Sequence, residues 1–401
     1  MLIVQKYGGT SVGSLERIEN VSRRIAARRA KGNDLVVVVS AMSGETNKLL
    51  KYAHHFSRTP SKREMDMLLS SGERVTASLL AIALQEAGYK AMAMTGRQAG
   101  IRTDNTHTFA RIESIDTSAV RSRLEEGYIV IIAGFQGINE SGDVTTLGRG
   151  GSDLSAVAMA GALDADACEI YSDVDGIYTT DPRIEPRAKK LNFISYDEML
   201  ELSSLGAKVL QSRSVELAKK MNVKIVAKSS FDDGEGTIIA QEDENMEAVV
   251  VSGIALDKNQ ARVSLRDVTD RPGIAAEIFT RLADEQINVD MIIQNASRDG
   301  TTNLGFTVPQ SELERAKTVI DSFDHDVGGA DYDEGICKVS IVGVGMKSHS
   351  GIAAAAFSAL ASNNINIEMI STSEIKVSMI IDEKYGELAV RVLHETYELD
   401  K

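Results

Sequence analysis

The C-terminal part of the chain carries a copy of itself. Gly273-Ile274-Ala275-Ala276 through Phe279 matches Gly351-Ile352-Ala353-Ala354 through Phe357, and Ile287-Asn288-Val289-Asp290-Met291-Ile292 matches Ile365-Asn366-Ile367-Glu368-Met369-Ile370, both 78 residues apart. Upstream, Val263-Ser264-Leu265 matches Val339-Ser340-Ile341 at a spacing of 76, so the copies differ by two residues in the loop before the helix. A period this short leaves room for one small unit per copy. Each reads strand, glycine-started helix, strand, strand, helix, strand, the ferredoxin-like βαββαβ pattern, and two such units usually pair. Asp270-Arg271-Pro272-Gly273 and Lys347-Ser348-His349-Ser350-Gly351 place polar loops at helix N-termini, where an amino acid's carboxylate would be stabilised.

Ahead of the duplication the pattern is different. Residues 2–5, 35–39, 91–94, 128–135, 167–171 and 223–228 read as short strands, with 223–228 the last of them. Helical stretches separate them, among them Leu15, Ile18, Val21, Ser22 and Ile25 on one face, and residues 65–69 and 75–84. The β-branched run at 35–39 suits a strand buried on both faces. Alternation of this kind predicts an α/β fold with a mainly parallel sheet flanked by helices. Residues 232–247 turn acidic and turn-rich, which marks a boundary, so the expected domains are 1–245, 246–335 and 336–401.

The chemistry gathers at strand ends. Residues 145–153, Thr-Thr-Leu-Gly-Arg-Gly-Gly-Ser-Asp, join a strand to a helix, with Ser152 and Asp153 as expected caps. Gly148, Gly150 and Gly151 allow a sharp turn and close approach to a ligand, and Arg149 between them suits an anion. A dinucleotide fingerprint would need a glycine at Asp153 and a Walker loop a lysine after its last glycine, so both are excluded. The loop alone does not name its ligand. In Lys6-Tyr7-Gly8-Gly9-Thr10-Ser11, Gly8 and Gly13 have P-loop spacing but Ser14 stands where the lysine belongs, so any phosphate-binding lysine must be Lys6. Ser70 and Glu73 have capping-box spacing. Residues 172–183, Ser-Asp-Val-Asp-Gly-Ile-Tyr-Thr-Thr-Asp-Pro-Arg, form a polar loop where open α/β sheets bind ligands, and Asp173 and Asp175 read as turn formers rather than metal ligands.

A net charge of −14 over 401 residues argues against general nucleic-acid or membrane-surface binding, since the field repels polyanions. Arg23, Arg24, Arg28, Arg29 and Lys31 read as the solvated face of a helix. No apolar run suggests a membrane span or signal peptide, so the expected location is cytoplasmic. Cys168 and Cys337 read as buried thiols, too few for a zinc site.

Lys6 to Ser11, Ser70-Gly72-Glu73-Arg74, residues 145–153, residues 172–183 and the paired repeats together resemble the aspartate kinases of the amino acid kinase superfamily, with tandem ACT domains. That resemblance implies ATP-dependent phosphorylation of the L-aspartate β-carboxylate to 4-phospho-L-aspartate, the first step toward lysine, threonine and methionine. It gives Lys6, Glu73 and Asp153 catalytic roles, and assigns aspartate to Thr46, Glu73, Arg149, Gly150 and Ser152. ATP would lie against Lys6, Gly8, Gly9, Ser172, Asp173, Tyr178, Arg183 and Lys208, with Mg²⁺ held through phosphate oxygens and water rather than by protein ligands. Lysine, threonine or both would bind at Asp270, Gly273, Ala275, Asp290 and Gln294 of one repeat and Asn366, Ile367, Thr372 and Ser373 of the other. The same resemblance implies a homo-oligomer through the ACT domains, and in some members a separate regulatory subunit, for which Met246 would be the internal start. Rival readings are another kinase of the fold, acting on glutamate, acetylglutamate, carbamate or UMP, or a non-catalytic amino-acid sensor. None of the six histidines is among the residues given these roles.

Overall fold

Val36, Val37, Val38 and Val39 are all fully buried, which requires cover on both sides of their strand. The computed structural model describes residues 1–204, 209–242, 250–294, 300–323 and 326–401, so Lys208, Met246 and His325 lie outside the described residues. The chain divides into a first unit, Met1–Ile177 with Lys190–Met246, and a second, Tyr178–Lys189 with Glu247–Lys401.

The strands of the first unit are β1 Leu2–Tyr7, β2 Asp34–Val39, β3 Ala91–Met94, β4 Ile101–Thr103, β5 Ile112–Ile115, β6 Ile129–Ala133, β7 Gln136–Ile138, β8 Val144–Thr146, β9 Ala167–Ser172, β10 Phe193–Ser195, β11 Ile225–Ser229 and β12 Thr237–Ala240. Its helices are α1 Leu15–Ala30, α2 Glu45–Phe56, α3 Lys62–Leu69, α4 Ser71–Glu86, α5 Ser118–Glu125, α6 Gly151–Leu163, α7 Tyr196–Ser204 and α8 Ser212–Met221. An eight-stranded sheet runs β10-β12-β11-β9-β1-β2-β6-β3, parallel except between β11 and β12. Ile3 and Tyr7 of β1 join the apolar core made with α1 and α4. Side chains alternate along a strand, so Lys6 faces the other way, toward α6, which lies against β1, β2 and β9 with α8 behind it.

Two local features depart from the sequence reading. Residues 223–228 are not the last strand: Thr237-Ile238-Ile239-Ala240, inside the acidic boundary stretch, returns as β12 to pair with β11 and β10. The run at 128–135 also ends early, because Phe135 takes a left-handed φ of 69°, and the chain resumes as β7 in a separate sheet ordered β5-β4-β7-β8. Lys62–Glu86 is long and apolar enough to cross a membrane by composition, yet half of that window is buried within the protein.

The second unit holds β13 Gly253–Asp257, β14 Ala261–Thr269, α9 Ile274–Asp284, β15 Ile292–Gln294, β16 Thr301–Val308, α10 Leu313–Ile320, β17 Gly329–Asp333, β18 Ile336–Val342, α11 Ile352–Ser362, β19 Met369–Thr372, β20 Lys376–Asp382 and α12 Gly386–Thr396. The first repeat forms the sheet β15-β16-β14-β17, the ferredoxin-like order. The second forms β13-β18-β20-β19. Its fourth strand, β13, therefore comes from ahead of the first repeat. Met291, Ile336, Met369 and Ile380 make an apolar cluster shared by the two repeats.

Candidate active site

In the first unit the chain builds outward from β1 in both directions, to β2 on one side and β9 on the other. Such a reversal opens a crevice at the strands' carboxyl ends. Tyr7 is in register with Val39 and with Tyr171, so three loops leave the sheet side by side. Backbone bonds tie them together: Ser40 N–H donates to Tyr7 O, Gly8 N–H to Tyr171 O and Gly134 N–H to Val39 O, each at 3.1 Å.

Lys6 and Asp153 meet in this crevice. The ammonium lies 2.7 Å from the Asp153 carboxylate, and each side chain is only 11% exposed. A Cβ on Gly8 would fall 3.3 Å from Lys6 Nζ, so a side chain there would crowd the cation. The Gly8 N–H is engaged by Tyr171, whereas among the described residues the Gly9 N–H has no acceptor. Ser14, at the P-loop lysine position, is the N-cap of α1 and accepts the Arg17 N–H.

Glu73 reaches the same crevice from the first turn of α4. Its Oε1 accepts the Ala41 N–H at 3.1 Å, while Oε2 is buried without a partner among the described residues. Burial pushes its carboxyl up to about 7, against the opposing pull of the Ala41 N–H. Close packing fixes this corner: a Cβ on Gly72 would fall 2.7 Å from the Ala41 Cβ, and one on Gly9 would fall 3.0 Å from the Ala41 carbonyl. Glu73 is thus not half of a capping box, and the Ser70 hydroxyl donates to Met67 O instead.

The loop before α6 is also arranged differently from its expected caps. Gly150, in a left-handed conformation at φ 69°, is the N-cap, and Ser152 and Asp153 lie buried in the first turn. A Cβ on Gly134 would fall 2.8 Å from Val38 Cγ1 and 3.0 Å from Ser152 Cβ, which locks Ser152 against β2. Arg149 is exposed, and its carbonyl accepts from Gln211 Nε2. Thr46 is half-buried in the first turn of α2. Phe135 and Asp66 escape sequence reading. The Phe135 N–H donates to Ser155 of α6 at 3.0 Å, and a positive φ at an aromatic residue is its structural mark.

The residues expected at the nucleotide are divided. Ser172 ends β9, where its hydroxyl accepts the Val174 N–H, and Asp173 beside it is exposed. Tyr178 and Arg183 belong to the second unit, where Arg183 is forked onto Asp181 at 2.6–3.1 Å. Lys208 falls outside the described residues, and the helix expected to open there runs from Ser212.

Within the second unit, Asp290 pairs with Lys338 of β18, a lysine only 3% exposed, and Arg262 of β14 pairs with Glu368. Both pairs join the two repeats, next to Met291 and Met369 of their shared cluster. Gln294 ends β15 and Thr372 ends β19, both exposed at sheet edges, with Asn366 and Ile367 just before β19 and Ser373 just after it. Gly273, at φ 98°, caps α9 beside exposed Asp270 and half-buried Ala275. Of the histidines, His107 binds Asp66, and His394 is buried against the Thr179 hydroxyl at 3.0 Å.

Comparison with known proteins matches residues 1–229 to the amino acid kinase family and residues 265–322 and 339–397 to the ACT domain. The aspartokinase of Helicobacter pylori is 60% identical over 405 residues, covering all of both chains. The structure of Escherichia coli aspartokinase III in complex with aspartate and ADP (R-state) superposes with a TM-score of 0.81 at 25% identity, covering 99% of each chain. The same enzyme in complex with lysine and aspartate (T-state) gives 0.77, also at 25% identity and 99% of each chain.

Proposed function

Because this chain belongs to the aspartokinases, enzymes of the amino acid kinase family that also carry ACT domains, we propose that the crevice between β1, β2 and β9 transfers the γ-phosphoryl group of ATP to the β-carboxylate of L-aspartate, with ADP as the leaving group. The product is 4-phospho-L-aspartate. The observation that carries this reading is the buried Lys6–Asp153 pair at the strand ends, near Gly9, whose N–H has no acceptor among the described residues. A β-carboxylate, with a reference pKa of about 3.9, is already ionised at neutral pH, so the site needs no general base. It must instead bring two anions together.

Lys6 then neutralises the phosphates while Asp153 holds its ammonium in place, and Gly9 donates its N–H beside it. Gly8 contributes closeness of approach. Ser172, which ends β9, and Asp173 beside it form the nucleotide side. Arg149, Gly150, Ser152 and Thr46 hold the acceptor amino acid, and Oε2 of Glu73, unpartnered among the described residues, takes its ammonium group, which favours the ionised carboxylate. Mg²⁺, when bound, supplies charge neutralisation on the phosphates. It would be held through phosphate oxygens and water rather than by protein side chains.

The repeats, within the regulatory region after residue 245, bind lysine, threonine or both at Asp270, Gly273, Ala275, Asp290, Gln294, Asn366, Ile367, Thr372 and Ser373. The lysine complex of the Escherichia coli enzyme supports this reading. Inhibition follows if the effector favours one arrangement of the enzyme over another. The enzyme then opens the route to lysine, threonine and methionine as a cytoplasmic homo-oligomer assembled through its ACT domains. An ATP-dependent hydroxamate assay with aspartate, run with lysine, threonine and both, tests substrate and effector together. Turnover of glutamate in place of aspartate overturns the substrate, and curves unmoved by either amino acid overturn the effector.

A further inference from the structure

Asp66 of α3 is fully buried, and its carboxylate gathers two segments that are distant in sequence. Oδ1 accepts the Thr146 hydroxyl at 2.5 Å and the Thr108 N–H at 3.1 Å, and Oδ2 accepts that same N–H at 3.0 Å and His107 Nδ1 at 2.7 Å. Burying a carboxylate is costly unless donors occupy its lone pairs, and this one has three donor groups. The donors bear on the glycine loop. Thr146 is the last residue of β8, three positions before Arg149.

The second segment bears on the same loop. Thr108 holds a φ of 69°, which a β-branched residue adopts only when its surroundings impose it, and Asp66 takes its N–H. Phe109 then lies over Gly148, where a Cβ would fall 2.6 Å from the ring. Arg213 closes the arrangement from α8. Its guanidinium sits 4.5 Å from the Phe109 centroid and donates to Leu147 O at 2.7 Å and Ala110 O at 3.0 Å. Thr146 is therefore held by Asp66 directly, and Gly148 is covered by Phe109, the neighbour of the Thr108 that Asp66 holds.

We propose that Asp66 is a positioning residue for the acceptor amino acid: by clamping Thr146 and the 107–109 segment it sets the pose of the loop that presents Arg149 and Ser152. This rests on the reading that the loop holds aspartate. Asp66 and His107 touch no substrate in this scheme and act only through the loop.

The test is steady-state kinetics on the full-length enzyme, varying aspartate and ATP separately. Asp66→Asn raises KM for aspartate by about tenfold or more and leaves KM for ATP within about twofold. Thr146→Val raises KM for aspartate in the same direction, and the Asp66→Asn/Thr146→Val double variant adds little to Asp66→Asn, because both act through one bond. His107→Asn, which keeps a donor near Nδ1, stays closer to the parent than His107→Ala. If Asp66→Asn does not fold, the Thr146→Val and His107 pairs decide. Arg149→Ala separates the two readings. An unchanged aspartate KM in Asp66→Asn and Thr146→Val, with a raised one in Arg149→Ala, overturns the clamp and leaves the acceptor site standing. No change in Arg149→Ala overturns both. A rise in both KM values in step with loss of folded protein makes Asp66 merely structural and overturns the proposal.

Discussion

Glu73 and Ala41 share one hydrogen bond, and the other carboxylate oxygen of Glu73 is buried with no partner among the described residues. Burial raises this group from 4.5 to about 7. Between those values the folded chain keeps a proton that the unfolded chain has released. Stability therefore falls as pH rises across that window, by about 3 kcal/mol for a shift of this size.

Activity runs the other way. An ionised Glu73 is the form that can hold an ammonium group, so kcat/KM for aspartate rises with pH through an apparent pKa near 7 in the free enzyme. Glu73→Gln removes that limb, lowers turnover by about a hundredfold or more, and is more stable than the parent above neutral pH. A pH–rate profile and thermal melts at several pH values check both. An unaltered acidic limb in Glu73→Gln refutes the role.

Lys6→Ala lowers turnover by about a hundredfold or more with the circular dichroism spectrum intact. The variant also leaves Asp153 without its cation, and Asp153→Asn leaves Lys6 without its carboxylate, so each single change costs more than its share. The double variant is expected to be less stable than the parent by less than the sum of the two, as measured in denaturant titrations.

In the second unit, Lys338 is buried and Asp290 is partly exposed. Asp290→Asn leaves a buried ammonium unpaired and lowers stability by about 2 kcal/mol. Lys338→Met replaces the stem with an apolar one of similar length and changes stability by about 1 kcal/mol or less. Chemical denaturation of the two variants distinguishes them, and equal losses would refute the asymmetry.

Thr372→Ile and Gln294→Ala, at the ends of the edge strands β19 and β15, weaken inhibition by lysine or threonine and spare uninhibited activity. Unchanged inhibition curves in both remove them from the effector site.

How much of this is legible in the sequence varies with the distance over which a contact acts. The buried run at 35–39 and the glycine loops after β1 and β8 are legible because hydrophobic period and glycine content are local properties. Asp66 is silent in sequence, since Thr146, its partner, lies 80 residues away and nothing around either residue signals the other. Glu73 is ambiguous for the opposite reason: its spacing from Ser70 fits a capping box, and only the position of Ala41 across the crevice tells the two uses apart. Ser152 and Asp153 look like caps because polar residues begin helices, but the left-handed Gly150 takes that place and frees them to face the site. β12 hides in an acidic stretch because four residues are too few to shift its composition.

The closure of the second repeat by β13 makes the first repeat an insertion within it. In chain order β13 precedes β14 to β17, and its partner β18 follows them. The inner repeat therefore has all its strands before the outer one can close. A regulatory fragment begun near residue 246 would keep β13 and could close both sheets, whereas one begun a few residues past Asp257 would leave the outer repeat permanently short of a strand.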